Sequence, residues 1–208
     1  MADPFAERRR LMVEQQLRPR GIRGEAVLRA MGRVPRELFV AEELRGSSYV
    51  DGPLPIGRGQ TISQPYIVAY MTEKLELSGS EAVLEIGTGS GYQAAVLAET
   101  AARVHTVERI PELGEAARAL LEGRLGYRNV FFKVGRGQEG WPEFAPFDRI
   151  LLTAAAGEFP PRLFDQLAEG GIALAPVGID SQCLIRYHKR SGTIRAEELI
   201  GVIFVPLL

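Results

Sequence analysis

Cysteine and histidine are scarce in this 208-residue chain, and their scarcity excludes several kinds of site. The one cysteine, Cys183, cannot form an internal disulfide or a cysteine-rich metal site. A lone thiol suits a reducing compartment, where we expect it to serve as inert packing. The two histidines, His105 and His188, stand in no metal-binding or catalytic motif. We therefore expect no bound metal ion.

Charge of one sign and long apolar runs are also missing. Lys and Arg number 25 and Asp and Glu number 26, for a formal net charge of -1, so the chain lacks the basic surface that sequence-independent nucleic-acid binding requires. No apolar run approaches the length that spans a bilayer, and the N-terminal residues lack the apolar segment of a secretory signal. We expect a monomeric cytoplasmic protein with neither a nucleic-acid nor a membrane partner.

The composition, 46% hydrophobic and 25% charged, is that of a globular protein with apolar material for one large core. We interpret the chain as a single domain in three stretches: a lead-in of residues 1–80, an α/β core of residues 81–178 and a C-terminal hairpin of residues 179–208. Apolar residues recur at helical spacing up to about Leu44. The Gly- and Pro-rich segment 49–65 predicts an ordered, irregular loop.

Short apolar runs alternate with longer amphipathic stretches from Glu81 onward, a pattern typical of βαβ units and a parallel sheet. The predicted strands are residues 82–86, 104–108, 130–134, 148–153 and 171–176. Residues 111–125 predict a crossover helix with an acidic first turn. Residues 182–187 and 195–207, on either side of a Ser-Gly turn, predict an antiparallel hairpin at the sheet edge.

The first predicted strand runs directly into three alternate glycines, Gly87, Gly89 and Gly91, and then into the helical stretch 93–99. Alternate glycines remove the β-carbons that keep a ligand off the backbone, so main-chain N–H groups at a helix N-terminus can face an anionic group. A dinucleotide loop reads Gly-x-Gly-x-x-Gly, and its third glycine serves helix packing. Because Gly91 comes one position early, we favour a loop that holds the methionine portion of S-adenosylmethionine.

Two acidic residues accompany the glycines. Glu108 ends the second predicted strand about twenty residues past the loop, where a carboxylate in this fold accepts hydrogen bonds from the two ribose hydroxyls. Glu85 lies inside the first strand, where a carboxylate needs a partner: the loop amides, the amino group of the cofactor or a neighbouring arginine. The order of strand, loop, helix, strand and carboxylate predicts a Rossmann-like class I methyltransferase, ahead of a nicotinamide-dependent enzyme. Its sheet is expected to be mostly parallel and doubly wound.

Several further segments resemble the protein-L-isoaspartate O-methyltransferase family over about residue 8 to the end of the chain. Besides the glycine loop, they are residues 56–63, 147–156, 166–171, 176–178 and 201–207. The resemblance implies methyl esterification of the α-carboxylate of L-isoaspartyl residues in damaged proteins and peptides. S-adenosyl-L-methionine would be the cofactor and S-adenosyl-L-homocysteine the product, and the reaction would lead to protein repair.

The resemblance also implies that Ser63 is the catalytic residue and that Ser63 and the backbone near Val205 contact the substrate. The acceptor carboxylate is ionised at neutral pH and needs no general base, so one hydrogen bond from the Ser63 hydroxyl would orient it. A turn or capping serine is the alternative for Ser63. The residues implied to hold the cofactor are Gln60, Thr61, Ile62, Glu85, Gly87, Gly89, Ser90, Gly91, Glu108, Arg109, Arg136 and Gly137.

Arg136 departs from the family pattern, in which an Asp between two glycines meets the adenine amino group. An arginine cannot accept that hydrogen bond, although its planar guanidinium could stack on the base. An exposed Arg136 paired with Glu139 is the alternative. Tyr66, where relatives often have His, and Leu208, where they have a polar residue, are two smaller departures.

Two other functions stay open at this point: a methyltransferase of the same scaffold acting on another carboxylate, such as Asp in a dedicated peptide, and a non-catalytic cofactor- or peptide-binding protein. Tyr49 and Asp51 either line a peptide entrance or brace the loop. Trp141 is interpreted as a packing anchor, and the charged run 7–10 as a solvated helix face.

Overall fold

The computed structural model describes residues 3–207, so the departure from the family pattern at Leu208 lies outside the described residues. Within them the strands are β1 (Leu54–Gly57), β2 (Gln60–Ile62), β3 (Ala82–Ile86), β4 (Arg103–Glu108), β5 (Val130–Val134), β6 (Phe147–Leu152), β7 (Leu167–Val177), β8 (Gln182–Arg190) and β9 (Thr193–Val202). The α-helices are α1 (Ala6–Leu11), α2 (Glu25–Arg33), α3 (Pro65–Lys74), α4 (Tyr92–Ala98), α5 (Pro111–Arg118) and α6 (Pro161–Asp165). Both α1 and α5 continue into a π-helical turn, which extends α5 to Arg124.

Seven strands form one sheet in the order β5-β4-β3-β6-β7-β8-β9. The pairs from β5 to β7 are parallel, and β8 and β9 are added antiparallel at the far edge. The strand order reverses between β3 and β6, and ligands of open α/β sheets bind beyond the carboxyl ends of the strands at such a switch point. The Rossmann-like, mostly parallel fold with a C-terminal antiparallel hairpin is confirmed.

Strand β3 lies at the centre and is buried along its whole length. Val83 packs into the larger apolar cluster, which also holds buried residues of α2, α3 and α4, whereas Leu84 and Ile86 pack into the smaller cluster on the opposite face. The N-terminal helices therefore share a core with the strand that leads into the glycine loop. This packing fixes the lead-in against the switch point.

The prediction of an irregular loop over 49–65 is wrong for its central part, because β1 and β2 form an antiparallel hairpin there. The turn between them uses Gly57, Arg58 and Gly59, all with positive φ (87°, 55° and 70°), so the glycines that suggested irregular structure supply a tight turn. Pro55 is tolerated because this two-stranded ribbon has free edges.

The predictions for the two ends of the chain are also wrong in part. Strand β7 starts at Leu167, earlier than predicted, and β9 stops at Val202, so residues 203–207 leave the sheet and Pro206 forms an isolated bridge with Ala155. The charged run 7–10 is not uniformly solvated. Arg9 is buried because its guanidinium binds Tyr49 and Asp3, whereas Arg10 stays exposed and pairs with Glu7.

Candidate functional site

The glycine loop bends between β3 and α4 through three left-handed residues, Gly87, Gly89 and Gly91, with φ of 98°, 53° and 86°. Their amides are not free, contrary to what the spacing suggested. Gly87 N donates to the Val107 carbonyl (2.8 Å), Gly89 N to Glu108 Oε2 (2.8 Å) and Gly91 N to the Thr88 carbonyl (2.8 Å).

The loop amides left open are those of the residues between the glycines. Thr88 N and Ser90 N find no acceptor among residues 3–207, and both residues line the cleft above the loop. The glycine pairs therefore hold the bend in shape while the two intervening amides remain available to an anionic group.

The three glycines are needed for different reasons. A β-carbon on Gly91 would lie 2.6 Å from Leu121 Cδ1 and 3.1 Å from Ala117 Cβ, and one on Gly87 would overlap the Thr153 hydroxyl. A β-carbon on Gly89 would meet only Ile56, at an ordinary 3.5 Å. Gly91 thus permits close packing against α5 and the turn after it. Helix packing is the role that the third glycine has in a dinucleotide loop. Gly91 does not line the cleft.

Glu108 closes the other side of the loop from the end of β4. It is buried, with Oε2 accepting from Gly89 N and Oε1 accepting from Ile110 N at 2.9 Å. Each carboxylate oxygen carries two lone pairs, so one acceptor site per oxygen remains for a ligand hydroxyl. The side chain lines the cleft, as a ribose-binding carboxylate must.

Glu85 lies behind this cleft and not on its wall. Its Oε2 accepts from the Thr106 hydroxyl (2.5 Å), and that hydroxyl also bonds Thr88 Oγ1 (2.6 Å), while Oε1 has no partner among the described residues. The predicted pairing with loop amides or with an arginine is wrong. Burial raises the pKa of Glu85 to about 8, with the Glu108 carboxylate adding to the shift and the Thr106 hydrogen bond opposing it.

The first cleft is bounded by the β1–β2 hairpin, the glycine loop, the end of β4 and the C-terminal segment. Nine residues of the predicted cofactor set line it: Gln60, Thr61, Ile62, Gly87, Gly89, Ser90, Glu108, Arg109 and Gly137. Three do not: Glu85, Gly91 and Arg136. Lining residues that the sequence did not single out include Val107, Ile110, Thr153 and Leu207. The signal for Thr153 was its place at the end of the fourth predicted strand.

Arg136 is exposed and makes no ion pair or side-chain hydrogen bond with any residue of 3–207, so the predicted pair with Glu139 is wrong. Its stacking on an adenine stays a prediction. Its neighbour Gly137 is the residue that faces the cleft, and a β-carbon there would overlap Ile86 and approach Leu207 Cδ1 to 3.2 Å.

A second cleft adjoins the first on the side of β8 and β9. Its rim carries two exposed side chains, Ile179 (81% exposed) and Ile203 (97% exposed). The residues that line both clefts are Thr61, Ser63, Thr153 and Val205. Ser63 and Val205, predicted to contact the acceptor, therefore lie where the two clefts meet.

The Ser63 side chain is half-buried, and its hydroxyl makes no hydrogen bond within the described chain. The cap of α3 is Gln64, without a side-chain capping bond, so a capping role for Ser63 is not observed. Its carbonyl accepts from Arg36 Nη2 at 2.7 Å. The amide of Val205 likewise donates to no residue of 3–207, while its carbonyl accepts from Ala155 N.

Tyr49 and Asp51 each brace the surrounding chain through side-chain contacts. Tyr49 is buried and its hydroxyl donates to Glu37 Oε2 (2.5 Å), while Asp51 pairs with Arg20 (2.8 Å) and accepts from Gln64. The brace alternative therefore holds for both. Trp141 packs edge-on against His105 and Phe144, consistent with an anchor.

Two further findings concern the described residues as a set. They contain no group of three His, Cys, Asp or Glu side chains placed to hold a metal ion. No helix among them combines the length and the apolar character needed to cross a membrane.

Comparisons with known proteins agree over nearly the whole chain. The sequence model of the family Protein-L-isoaspartate(D-aspartate) O-methyltransferase matches residues 7–208. The Protein-L-isoaspartate O-methyltransferase of Picosynechococcus sp. is 54% identical over 99% of this chain and 92% of its own length. That of Methanoculleus marisnigri is 53% identical over 100% of this chain and 94% of its own length.

Solved structures give the same result. A protein-L-isoaspartate O-methyltransferase superposes with a TM-score of 0.88 at 30% identity, covering 95% of this chain and 65% of that chain. A Plasmodium falciparum protein assigned to the same activity, crystallised with S-adenosyl-L-homocysteine, superposes with a TM-score of 0.83 at 27% identity over 96% of this chain and 98% of its own. With a family match from residue 7 to 208 and relatives more than half identical, this chain belongs to the protein-L-isoaspartate O-methyltransferase family.

Proposed function

We propose that the chain uses S-adenosyl-L-methionine to methylate the α-carboxylate of L-isoaspartyl residues in damaged proteins and peptides, with release of S-adenosyl-L-homocysteine. The observation that carries this proposal is the meeting of two clefts at Thr61, Ser63, Thr153 and Val205. One cleft has the features of a cofactor site and the other is open to a peptide. A methyl group can pass only where donor and acceptor come together.

The first cleft fits the donor in its chemistry. The open amides of Thr88 and Ser90 would bind the carboxylate of the amino-acid portion, and Glu108 would accept from the ribose hydroxyls. The apolar side chains of Ile110 and Leu207 would enclose the adenine. When bound, S-adenosyl-L-methionine supplies an electrophilic methyl group.

Glu85 takes an indirect part in this site. Its hydrogen-bond chain through Thr106 to Thr88 would hold the Thr88 side chain so that the amide faces the cleft. Gly91 would act in the same indirect way, through the packing that sets the path of the loop.

The acceptor side needs orientation and not a base, because a carboxylate is already ionised at neutral pH. The Ser63 hydroxyl and the Val205 amide, neither of which has an acceptor among residues 3–207, would each donate one hydrogen bond to it. The histidines lie elsewhere: His105 is buried among aromatic rings, and His188 lies on β8. The walls of the two clefts would exclude water from the reacting groups.

The test is tritiated methyl transfer to two peptides that differ only in an L-isoaspartyl or a normal aspartyl residue. We expect labelling of the isoaspartyl peptide alone. Ser63→Ala should lower kcat/KM by roughly 10- to 100-fold, because a hydrogen bond to a charged group contributes about 1.5–3 kcal/mol. The exposed Ser47→Ala is the matched control and should behave as the parent. Labelling of the aspartyl peptide alone would indicate another carboxylate acceptor, and labelling of neither would indicate a binding protein.

We also propose that the chain acts as a cytoplasmic monomer and has no nucleic-acid partner. The lone thiol of Cys183 suits a reducing compartment, and the near-neutral charge provides no basic surface for nucleic acid. Light scattering of the purified protein tests the oligomeric state.

A further inference from the structure

We infer that Arg36 is a positioning residue for methyl transfer, because it fixes the main chain at Ser63 and so aims the Ser63 hydroxyl into the junction of the two clefts. The inference rests on the proposed role of Ser63. Arg36 touches neither cleft itself and acts through the carbonyl of Ser63.

Arg36 joins two separate segments of backbone from a completely buried position. Its side chain belongs to the 3-10 turn after α2, and the residue has 0% exposure. Nε donates to the Ser48 carbonyl and Nη2 donates to the Ser63 carbonyl, both at 2.7 Å. The guanidinium carbon lies 4.8 Å from the ring centroid of Tyr92, the first residue of α4. One planar group thus ties the segment before β1 and the end of β2 to the first turn of α4.

The burial of this cation is unusual in having no acidic partner. No carboxylate among the described residues pairs with Arg36, and its Nη1 has no acceptor there, whereas neighbouring Arg9 binds both Asp3 and Glu37. Burial lowers the pKa of Arg36, the direction expected when a charge leaves water without a counter-ion. Its attachments are therefore two carbonyls and an aromatic face. These are contacts that fix geometry.

The anchor is itself held in place. The Tyr49 hydroxyl accepts from the Arg36 amide (3.2 Å) and from Arg9 Nε (3.1 Å), and it donates to Glu37. The main chain of Arg36 is thereby tied to Arg9 of α1 through the Tyr49 hydroxyl. A displacement of about 1 Å at a reacting group can lower a rate by about 100-fold, so such a support has a measurable consequence.

The guanidinium is the group that this arrangement requires. Its rigid fork can reach two carbonyls at once, whereas the single ammonium of lysine cannot reproduce both contacts in the same geometry. Arg36→Lys therefore keeps a hydrogen-bond donor in the buried position and loosens the hold on Ser63. Arg149→Lys is the matched control, because Arg149 also donates to main-chain carbonyls, those of Leu75 and Glu76, but lies outside both clefts.

The experiment is a double-mutant cycle of Arg36→Lys with Ser63→Ala, assayed on the isoaspartyl peptide. Arg36→Lys should lower kcat by about 10- to 100-fold while changing the KM for the peptide and the Kd for S-adenosyl-L-homocysteine by less than about threefold. In the Ser63→Ala background the same substitution should lower kcat by less than about threefold, since the hydroxyl that it positions is gone. Arg149→Lys should leave kcat within about threefold of the parent in both backgrounds.

The possible results separate this inference from the proposed function. If Ser63→Ala lowers the rate but Arg36→Lys has an equal effect in both backgrounds, or none, then Arg36 does not act through Ser63 and the inference is overturned. If Ser63→Ala leaves the rate unchanged, the proposed role of Ser63 is wrong and the inference falls with it. Arg36→Gln, with its stability measured by urea unfolding, serves as a second variant if the lysine form does not fold.

Discussion

Gly91 belongs to the motif that marks the site, but the structure requires a glycine there for a different reason from the one that the motif predicts. The spacing of the alternate glycines predicts that all three bring bare amides to a ligand. In the structure Gly91 instead accommodates Leu121 and Ala117, and its amide bonds the Thr88 carbonyl. The contacts with Ala117 and Leu121 come from residues 26 or more positions further along the chain, so no local pattern could reveal them.

This difference predicts the outcome of a glycine substitution. Gly91→Ala should destabilise the protein by about 1–3 kcal/mol beyond the backbone effect, because the added methyl group overpacks the contact with Leu121. Gly126→Ala is the control: φ at Gly126 is 76° and a β-carbon there meets nothing within 4 Å, so only the backbone penalty of about 1–2 kcal/mol applies. Urea unfolding of the two variants measures the difference, and equal losses would show that packing does not restrict Gly91.

Whether the sequence predicts the surroundings of a site residue depends on where that residue lies in the fold. Glu108 and Ser90 reach the cleft because the order of a strand, a bend and a second strand brings them to one edge of a sheet. Glu85 is buried from both sides in β3, so its partner depends on which side chain of the neighbouring strand lies beside it, and that is Thr106. Arg136 lies in a loop, where the direction of a long side chain is not determined by sequence.

Among the elements, the central strands were predicted closely and the hairpin of β1 and β2 was not. Strand β3 is buried along its whole length and β6 is buried at residues 150–152, and each contains a short apolar run that indicates a buried strand. The hairpin is short, and Pro55 and two glycines at its turn give it the composition of a loop. The pairing of β1 with β2 is evident only in the three-dimensional structure.

Contacts with the glycine loop and with α5 place the hairpin over the first cleft. Ile56 lies above Gly89, and Arg58 at the turn pairs with Glu112 in the first turn of α5 at 2.8 Å. Both partners of this ion pair are more than half exposed, so it contributes little to stability. The hairpin and the glycine loop nevertheless form opposite walls of one cleft, which is why Thr61 and Ser90 line it together.

At the scale of the whole molecule, buried ionisable groups govern the dependence of stability on pH. The pKa of Glu85 rises from 4.5 to about 8 on folding, so the native state keeps a proton that the unfolded chain has lost over that range. The contribution of Glu85 to stability therefore falls as the pH rises from about 4.5 to about 8. Burial lowers the pKa of His105 from 6.5 to about 4, and its contribution to stability is lost as the pH falls through that range.

Glu85→Gln should remove the first of these effects. The amide keeps a hydrogen-bond acceptor for Thr106 and cannot ionise, so the free energy of unfolding should decline less between pH 5 and pH 8 than in the parent. Urea unfolding at several pH values measures this slope. The exposed Glu158→Gln is the control and should retain the slope of the parent. A parent slope that persists in Glu85→Gln would show that Glu85 is ionised in the folded protein.

The measurement that tests the site most directly is a crystal structure of the protein with S-adenosyl-L-homocysteine. We predict that its carboxylate lies at the amides of Thr88 and Ser90, that its ribose hydroxyls donate to Glu108, and that its sulfur faces Ser63 at the junction of the two clefts. A ligand bound outside the first cleft, or one whose ribose leaves Glu108 without a contact, would contradict the assignment of the cofactor site and the proposed reaction with it.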